Sequence, residues 1–342
     1  MFRFFRESFL RGLLDRKTQC YKSASQRPTM RLNMKNSLLV TVVAVTIFIG
    51  GAALSVNRAH AAGPAIQIVE VSGYRDRFDI PGPASVRYLL IDPGNADPAT
   101  DGFAPIDPKA VLMLFVGGDG RLNLALTQQN TGSTNFLART RYHFAAEGYV
   151  VALVDAASDF LVHDHAPTTD ANGFLHGSGL SGHRLPNRLY GGDYLQDLAA
   201  VMNDLRVRYP NLPLWAVGTS RGTLSAAVAA ANVSPPPNGI VLTSSLTGPS
   251  AMGDLEGVNI ESIAIPVLIV SHRDDACSVT KPDDSKTLKR RFTASPRVRV
   301  HIFNGGSAPL SGPCDPLSAH GYFGVEQNVI DAITKWIDHA EH

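Results

Sequence analysis

A serine between two glycines is the residue in this chain best suited to act as a nucleophile. The stretch Leu212–Asn232 reads LPLWAVGTSRGTLSAAVAAAN. Its first apolar run predicts a buried strand and its alanines predict a helix, so Ser220 lies at a strand-to-helix turn. Small neighbours let the backbone and the helix pack closely around such a turn. Because G-x-S-x-G also arises by chance, the prediction depends on the flanking strand and helix.

The segment GTSRG in this setting resembles the nucleophile elbow of the α/β-hydrolase superfamily, and in particular of its exported serine esterases and lipases. The resemblance implies a mostly parallel central sheet flanked by helices. It also implies a catalytic triad in the chain order Ser, Asp or Glu, His. The backbone amide of Arg221, which follows the serine, is then expected to bind the oxyanion that forms during acyl transfer.

A glycine-rich loop is expected to provide the second oxyanion amide. Ala110–Val116 (AVLMLFV) is continuously apolar, which is typical of a strand buried on both faces, and it leads into Gly-Gly-Asp-Gly. In the family, the loop after this strand supplies an amide, so the resemblance implies a donor at Gly118 or Asp119. The loop lacks the leading histidine of the esterase pattern, and a simple glycine-rich turn is the alternative.

The acid and the base of the triad are expected further along the chain. Ile263–Val270 predicts a buried strand, and Ser-His-Arg-Asp-Asp follows it. Alignment with the family pattern H-G-x-x-D favours Asp275 as the acid and leaves Asp274 as the alternative, because Ser-His stands where His-Gly is usual. His320 follows the last predicted strand, Arg297–Phe303, and precedes the last helix, where the family has its base.

These residues together predict a serine hydrolase that forms an acyl-enzyme. A serine hydroxyl is a weak nucleophile until an imidazole takes its proton, and a carboxylate fixes the tautomer of that imidazole. This chemistry requires no metal and no organic cofactor. We expect the substrate to be a small carboxylic ester; a peptidase, an acyltransferase and a non-catalytic binding protein with this fold are the alternatives. A dehydrogenase is disfavoured because no G-x-G-x-x-G opens a helix after a strand.

The remaining segments complete the predicted α/β-hydrolase domain, residues 62–342. Ala65–Val71 and Val86–Asp92 predict early strands at an antiparallel edge of the sheet, and Tyr149–Asp155 predicts the fourth strand. A helix is predicted over Asn135–Glu147. Another is predicted over Asp193–Tyr209, just before the elbow strand.

A long irregular stretch from Ala156 to Gly192 predicts a loop or lid between the fourth strand and the helix before the elbow. It contains several polar residues that could bind a metal, although loop histidines are ordinarily solvated and we predict no metal site. These are His163, Asp164, His165, His176 and His183.

The N-terminal 61 residues differ in character from the rest of the chain. They carry ten Lys/Arg and two Asp/Glu, a net charge of +8, whereas residues 62–342 carry 21 and 28, a net of −7. A domain with a net negative charge, such as residues 62–342, is a poor candidate for nucleic-acid binding. From Met34, a basic start, an apolar run and Ala-His-Ala predict a signal peptide cleaved near Ala61 and a periplasmic or secreted protein. An uncleaved membrane anchor is the alternative, and Met1, Met30 and Met34 remain possible starts.

The three cysteines are consistent with export. Cys20 lies in the extension and would be lost with the signal peptide, which leaves Cys277 and Cys314 as a pair. In an exported protein an even pair favours a disulfide, and two buried free thiols are the alternative.

Overall fold

The computed structural model describes residues 65–127, 131–162, 168–169, 175–176, 182–250 and 253–340. The predicted extension and signal peptide, residues 1–61, lie outside them, so the domain boundary near residue 61 stays a prediction. Within the described ranges, no helix is long and apolar enough to cross a membrane.

One large sheet contains eight of the ten strands found in the described part of the chain. The strands are β1 Ile66–Asp76, β2 Pro83–Ile91, β3 Ala110–Phe115, β4 Tyr149–Val154, β5 Thr168–Thr169, β6 Leu175–His176, β7 Leu214–Thr219, β8 Gly239–Thr243, β9 Val267–His272 and β10 Val298–Phe303. The large sheet has the order β1-β2-β4-β3-β7-β8-β9-β10, and β5 and β6 form a separate two-stranded sheet.

Strand direction follows the prediction. The β1–β2 and β2–β4 pairs are antiparallel. Every other neighbouring pair in the large sheet, from β4–β3 to β9–β10, is parallel. The early strands therefore form an antiparallel edge on a mostly parallel sheet, as the sequence predicted.

Helices cover both faces of this sheet. They are α1 Pro98–Asp101, α2 Phe136–Arg139, α3 Arg141–Ala146, α4 Ser158–Val162, α5 Gly191–Arg208, α6 Gly222–Asn232, α7 Ser285–Arg291 and α8 Glu326–Ala340. Alternate side chains of β3 pack into different layers: Val111 and Met113 join the core beneath α5 and α6, and Leu112 and Leu114 join the core beneath α3 and α8. Burial on both faces explains why this strand is apolar throughout.

Several elements differ in their bounds from the sequence-based expectation; β1, for example, continues to Asp76 rather than ending at Val71. The helix predicted over Asn135–Glu147 is divided at Thr140 into α2 and α3, and the Thr140 hydroxyl donates to the Phe136 carbonyl at 2.7 Å. Such a bond from a side chain to the preceding turn bends helices. The strand predicted from Ile263 begins only at Val267, because the intervening Pro266 has no amide to donate to a strand ladder.

The predicted lid is tested only in part. α4, β5 and β6 lie between β4 and α5, so the segment has short regular elements. Residues 163–167, 170–174 and 177–181 lie outside the described residues, as do the side chains of four of the five polar residues named above. The lid stays a prediction.

Candidate active site

Ser220 occupies the turn between β7 and α6. Its backbone has φ of 53°, in the left-handed region that is unfavourable for a serine. The turn is held on both sides: the Ser220 amide donates to the Thr243 carbonyl at 2.9 Å, and the Thr223 hydroxyl donates to the Ser220 carbonyl at 2.6 Å. Backbone strain of this kind, supported by surrounding bonds, is typical of functional sites.

The glycines flanking the serine are required by close packing. A Cβ on Gly218 would collide with the backbone of Gly222, and a Cβ on Gly222 would collide with the Phe115 carbonyl at the end of β3. The turn therefore brings the first residues of α6 against the neighbouring strand, as a nucleophile elbow requires.

The glycine-rich loop after β3 lies directly against Ser220. A Cβ on Gly117 would stand 2.9 Å from the Ser220 Cβ, so only glycine fits there. Within the described ranges, the backbone amides of Gly118, Asp119 and Arg221 have no hydrogen-bond acceptor. Amides next to a serine hydroxyl that are not otherwise engaged are suited to bind an oxyanion.

Asp275 and His320 are hydrogen-bonded to each other. The distance from His320 Nδ1 to Asp275 Oδ2 is 3.0 Å, and the two side chains are 6% and 1% exposed. Asp275 lies in the turn after β9, and His320 lies in a short 3₁₀ turn, Ala319–Gly321, before α8. Because Nδ1 faces the carboxylate, Nε2 is the nitrogen left to exchange a proton.

The neighbouring aspartate, Asp274, lies next to a different histidine, His272. The Asp274 side chain is 64% exposed, and its Oδ2 is 4.0 Å from the Nδ1 atom of His272. The Asp274 amide donates to that same Nδ1 at 3.1 Å. Of the two aspartates that the sequence left open, the structure brings Asp275 to the histidine.

Ser220 and His320 are both anchored at the end of β8. The Ser220 amide donates to the Thr243 carbonyl, the last residue of the strand. The next residue, Ser244, donates through its hydroxyl to the His320 carbonyl at 2.8 Å. Two consecutive residues of the chain therefore hold the backbones of the serine and the histidine.

Comparison with known proteins gives distant structural similarities. The sequence matches no protein-family model and no curated protein. A dienelactone hydrolase from Anabaena variabilis is 13% identical with a TM-score of 0.49, over 81% of this chain and 99% of that chain. A thermophilic esterase from Thermogutta terrifontis, a Planctomycetes species, is 13% identical with a TM-score of 0.48, over 81% and 94%. A serine hydrolase without a lid from Xanthomonas campestris is 15% identical with a TM-score of 0.43, over 78% and 95%.

The strand order of the chain itself decides its fold. The resemblance implied a mostly parallel sheet flanked by helices, and the observed sheet is parallel from β4 to β10, with β1 and β2 antiparallel at one edge and Ser220 in the turn after β7. The chain has the α/β-hydrolase fold.

In this fold, a disulfide joins Cys277 to Cys314, with 4.6 Å between the two Cα atoms. The prediction of a disulfide is confirmed, and the alternative of two free thiols is wrong. Cys277 is buried beside the acid, and its amide donates to Asp275 Oδ1 at 3.0 Å. Cys314 is exposed and lies six residues before His320. The bridge thus connects the turn of the acid to the segment that leads to the histidine.

His183 corrects the expectation that the histidines of the long loop are solvated. It is 2% exposed, and its Nδ1 lies 2.6 Å from the hydroxyl of Ser225 on α6. Its ring fills the space that a Cβ on Gly120 would need, beneath the glycine-rich loop. Burial, reinforced by the charge of Arg221, lowers the pKa of His183 to about 3. The imidazole is therefore neutral and supports the loop.

Two further residues of the candidate site had no signal in the sequence. Thr280 is buried beside Asp275 and His320 and contacts both. Tyr322 is fully buried, receives a hydrogen bond from the Ser244 amide at 2.9 Å and donates to the Val270 carbonyl at 2.9 Å. Burial raises the pKa of this phenol. Tyr322 thereby connects the ends of β8 and β9 next to the histidine.

Proposed function

We propose that this protein is a serine hydrolase that cleaves a carboxylic ester through Ser220, His320 and Asp275. The observation that carries the proposal is the buried hydrogen bond between Asp275 Oδ2 and His320 Nδ1, at 3.0 Å. A buried carboxylate that binds one nitrogen of an imidazole orients the ring, so that the other nitrogen can accept a proton. The strained turn at Ser220 supplies a hydroxyl that needs such a base.

The proposed reaction has two halves. His320 Nε2 takes the hydroxyl proton as Ser220 Oγ attacks the ester carbonyl, and the negative charge moves to the carbonyl oxygen. The amides of Arg221 and of Gly118 or Asp119 stabilise that oxyanion, each by about 3 kcal/mol. The imidazolium returns its proton to the leaving alcohol as the C–O bond breaks, which gives the acyl-enzyme. Water then repeats the sequence: it loses a proton to His320 and releases the acid and Ser220.

Compared with a peptide, an ester makes the smaller demand on these groups, because its leaving group departs more easily. The alcohol of an ester leaves with one proton from the histidine, whereas the amine of a peptide is the poorer leaving group. We therefore propose ester hydrolysis as the reaction, with peptide hydrolysis and acyl transfer as the alternatives. Specificity for one acid or one alcohol depends on the walls of the pocket.

Labelling with a fluorophosphonate probe tests the nucleophile. We expect the wild type to be labelled and to hydrolyse p-nitrophenyl esters of short acids. Ser220→Ala is expected to lose labelling and to lower kcat about 10⁴-fold or more. Ser262→Ala is the matched control, because Ser262 is exposed and its hydroxyl donates to the Asn259 carbonyl, away from the site.

The outcomes separate the alternatives. Labelling with hydrolysis of aminopeptidase substrates but not of esters would identify a peptidase. Labelling with transfer of the acyl group to an added alcohol, faster than to water, would identify an acyltransferase. A folded wild type that takes no label and turns over no ester would contradict the proposal and favour a binding protein.

The proposal includes export. The basic start, apolar run and Ala-His-Ala before residue 62 support a cleaved signal peptide, and the disulfide suits an oxidising compartment. The mass of the mature protein tests this: cleavage after Ala61 is expected, and a mature chain that retains residues 34–61 would refute it.

A further inference from the structure

Thr280 has an unusual position between the proposed acid and the proposed base. Its Oγ1 atom lies 3.0 Å from Asp275 Oδ2 and 3.1 Å from His320 Nδ1. Since Nδ1 and Oδ2 are themselves 3.0 Å apart, the three atoms form a nearly equilateral triangle. A hydroxyl so placed takes part in the hydrogen bond between carboxylate and imidazole.

The hydroxyl is held in that place by its own turn. Thr280 is buried, and its amide donates to the Cys277 carbonyl at 3.2 Å. Cys277 is in turn bonded to Asp275 through its amide and to Cys314 through the disulfide. The turn from Asp275 to Thr280 therefore satisfies both oxygens of the carboxylate: Oδ1 by the Cys277 amide and Oδ2 by the Thr280 hydroxyl.

The proton of the hydroxyl has two possible acceptors, and the choice determines the tautomer of the histidine. A hydrogen bond to an ionised carboxylate is about twice as strong as one between neutral groups, so the Thr280 proton points to Asp275 Oδ2. A lone pair of Oγ1 then faces His320 Nδ1, which must carry a hydrogen. The opposite arrangement, with Oγ1–H donating to Nδ1, would put the imidazole proton on Nε2 and block the base.

We propose that Thr280 is a positioning residue that fixes His320 in the tautomer with hydrogen on Nδ1 and shares that hydrogen with Asp275. Two oxygens accept from Nδ1–H, so the imidazolium formed during serine attack is stabilised and its ring cannot rotate away. The effect on turnover rests on the proposed function. The effect on the Nδ1 hydrogen does not, because it concerns only Asp275, Thr280 and His320.

Replacement of Thr280 by valine tests this role, because valine keeps the shape and removes the hydroxyl. We expect Thr280→Val to lower kcat for a p-nitrophenyl ester about 10- to 100-fold, the range for loss of one hydrogen bond to a charged group, with KM unchanged. Thr280→Ser restores the hydroxyl and is expected to restore most of kcat. Thr334→Val is the matched control, since Thr334 is also buried but its hydroxyl bonds to the Asp331 carbonyl on α8.

A second readout follows the hydrogen itself. A histidine Nδ1–H bonded to a carboxylate gives a proton resonance well downfield of the backbone amides. We expect this His320 resonance, assigned by its loss in His320→Ala, to move in Thr280→Val and to return in Thr280→Ser. Thermal unfolding of each variant establishes that it is folded.

Two results would overturn the inference. One is a folded Thr280→Val with wild-type kcat and an unmoved resonance. The other is a loss in Thr280→Ser as large as that in Thr280→Val, because the serine variant keeps the hydroxyl and the hydroxyl would then not account for the effect. If Ser220→Ala stays active, the proposed function fails, but the resonance still decides the role of Thr280.

Discussion

Removal of the disulfide is expected to affect both stability and activity. The bridge between Cys277 and Cys314 spans a sequence separation of 37 residues. In the chain-entropy treatment, closing a loop of this size stabilises the folded state by about 4 kcal/mol at 25 °C. That is a large part of the 5–15 kcal/mol that is typical of a whole domain. Cys314→Ser is the perturbation of choice, because Cys314 is exposed and the buried Cys277 keeps its sulfur.

The stability effect is measured by urea unfolding of the mature protein. With a slope of about 2–3 kcal/mol per molar urea, a loss of 4 kcal/mol lowers the midpoint by about 1–2 M. Wild type treated with a reductant is expected to behave like Cys314→Ser. Cys314→Ser in the same reductant serves as the control, because it has no bridge to lose and its midpoint should not move.

The activity effect follows from the position of the bridge. The Cys277 amide binds Asp275 Oδ1, and Cys314 lies in the segment that leads to His320. Without the bridge these two segments can separate, so we expect kcat per folded molecule to fall below that of the wild type in the absence of urea. A midpoint shift under about 0.3 M would refute the entropic reasoning. Unchanged kcat in a destabilised variant would refute the proposed connection to the site.

Two other substitutions test the acid and the buried histidine. Asp275→Asn is expected to lower kcat about 10⁴-fold, whereas Asp274→Asn should remain near wild type; equal, mild losses in ester hydrolysis would place the acid elsewhere. His183 has a folded pKa of about 3 against 6.5 in the unfolded chain, so its contribution to stability is present above pH 6.5 and is lost as pH falls towards 3. Relative to His183→Gln, the wild type should lose up to about 1.4 kcal/mol of unfolding free energy per pH unit in that window. Parallel pH profiles of the two proteins in urea unfolding would contradict this.

The apolar strands were the part of the fold that the sequence predicted best. The strand predicted over Ala110–Val116 is observed at Ala110–Phe115, and the one predicted over Tyr149–Asp155 at Tyr149–Val154. Strands buried on both faces leave a continuous apolar run that needs no knowledge of their neighbours. Errors arose where a single residue changed the local bonding, as at Thr140 and Pro266.

The sequence predicted those candidate site residues whose position relative to a strand is fixed in the family pattern. Ser220, Asp275 and His320 each follow a recognisable strand, so the family pattern indicated their positions. Thr280 and His183 have no such place. Their roles come from contacts with residues 40 and 42 positions away in sequence, His320 and Ser225. Contacts at that separation depend on how the strands pair, which one sequence does not reveal.

The proposed nucleophile and the proposed base lie far apart along the chain. Ser220 follows the central strand β7, but His320 and Cys314 both follow β10, which lies at the other edge of the sheet from β1. A nascent chain that has emerged as far as β8 contains the proposed nucleophile but neither the base nor the second cysteine. The proposed hydrolysis and the disulfide therefore both require the segment that follows β10. The same short segment thus supplies the base of the proposed triad and one half of the covalent bridge.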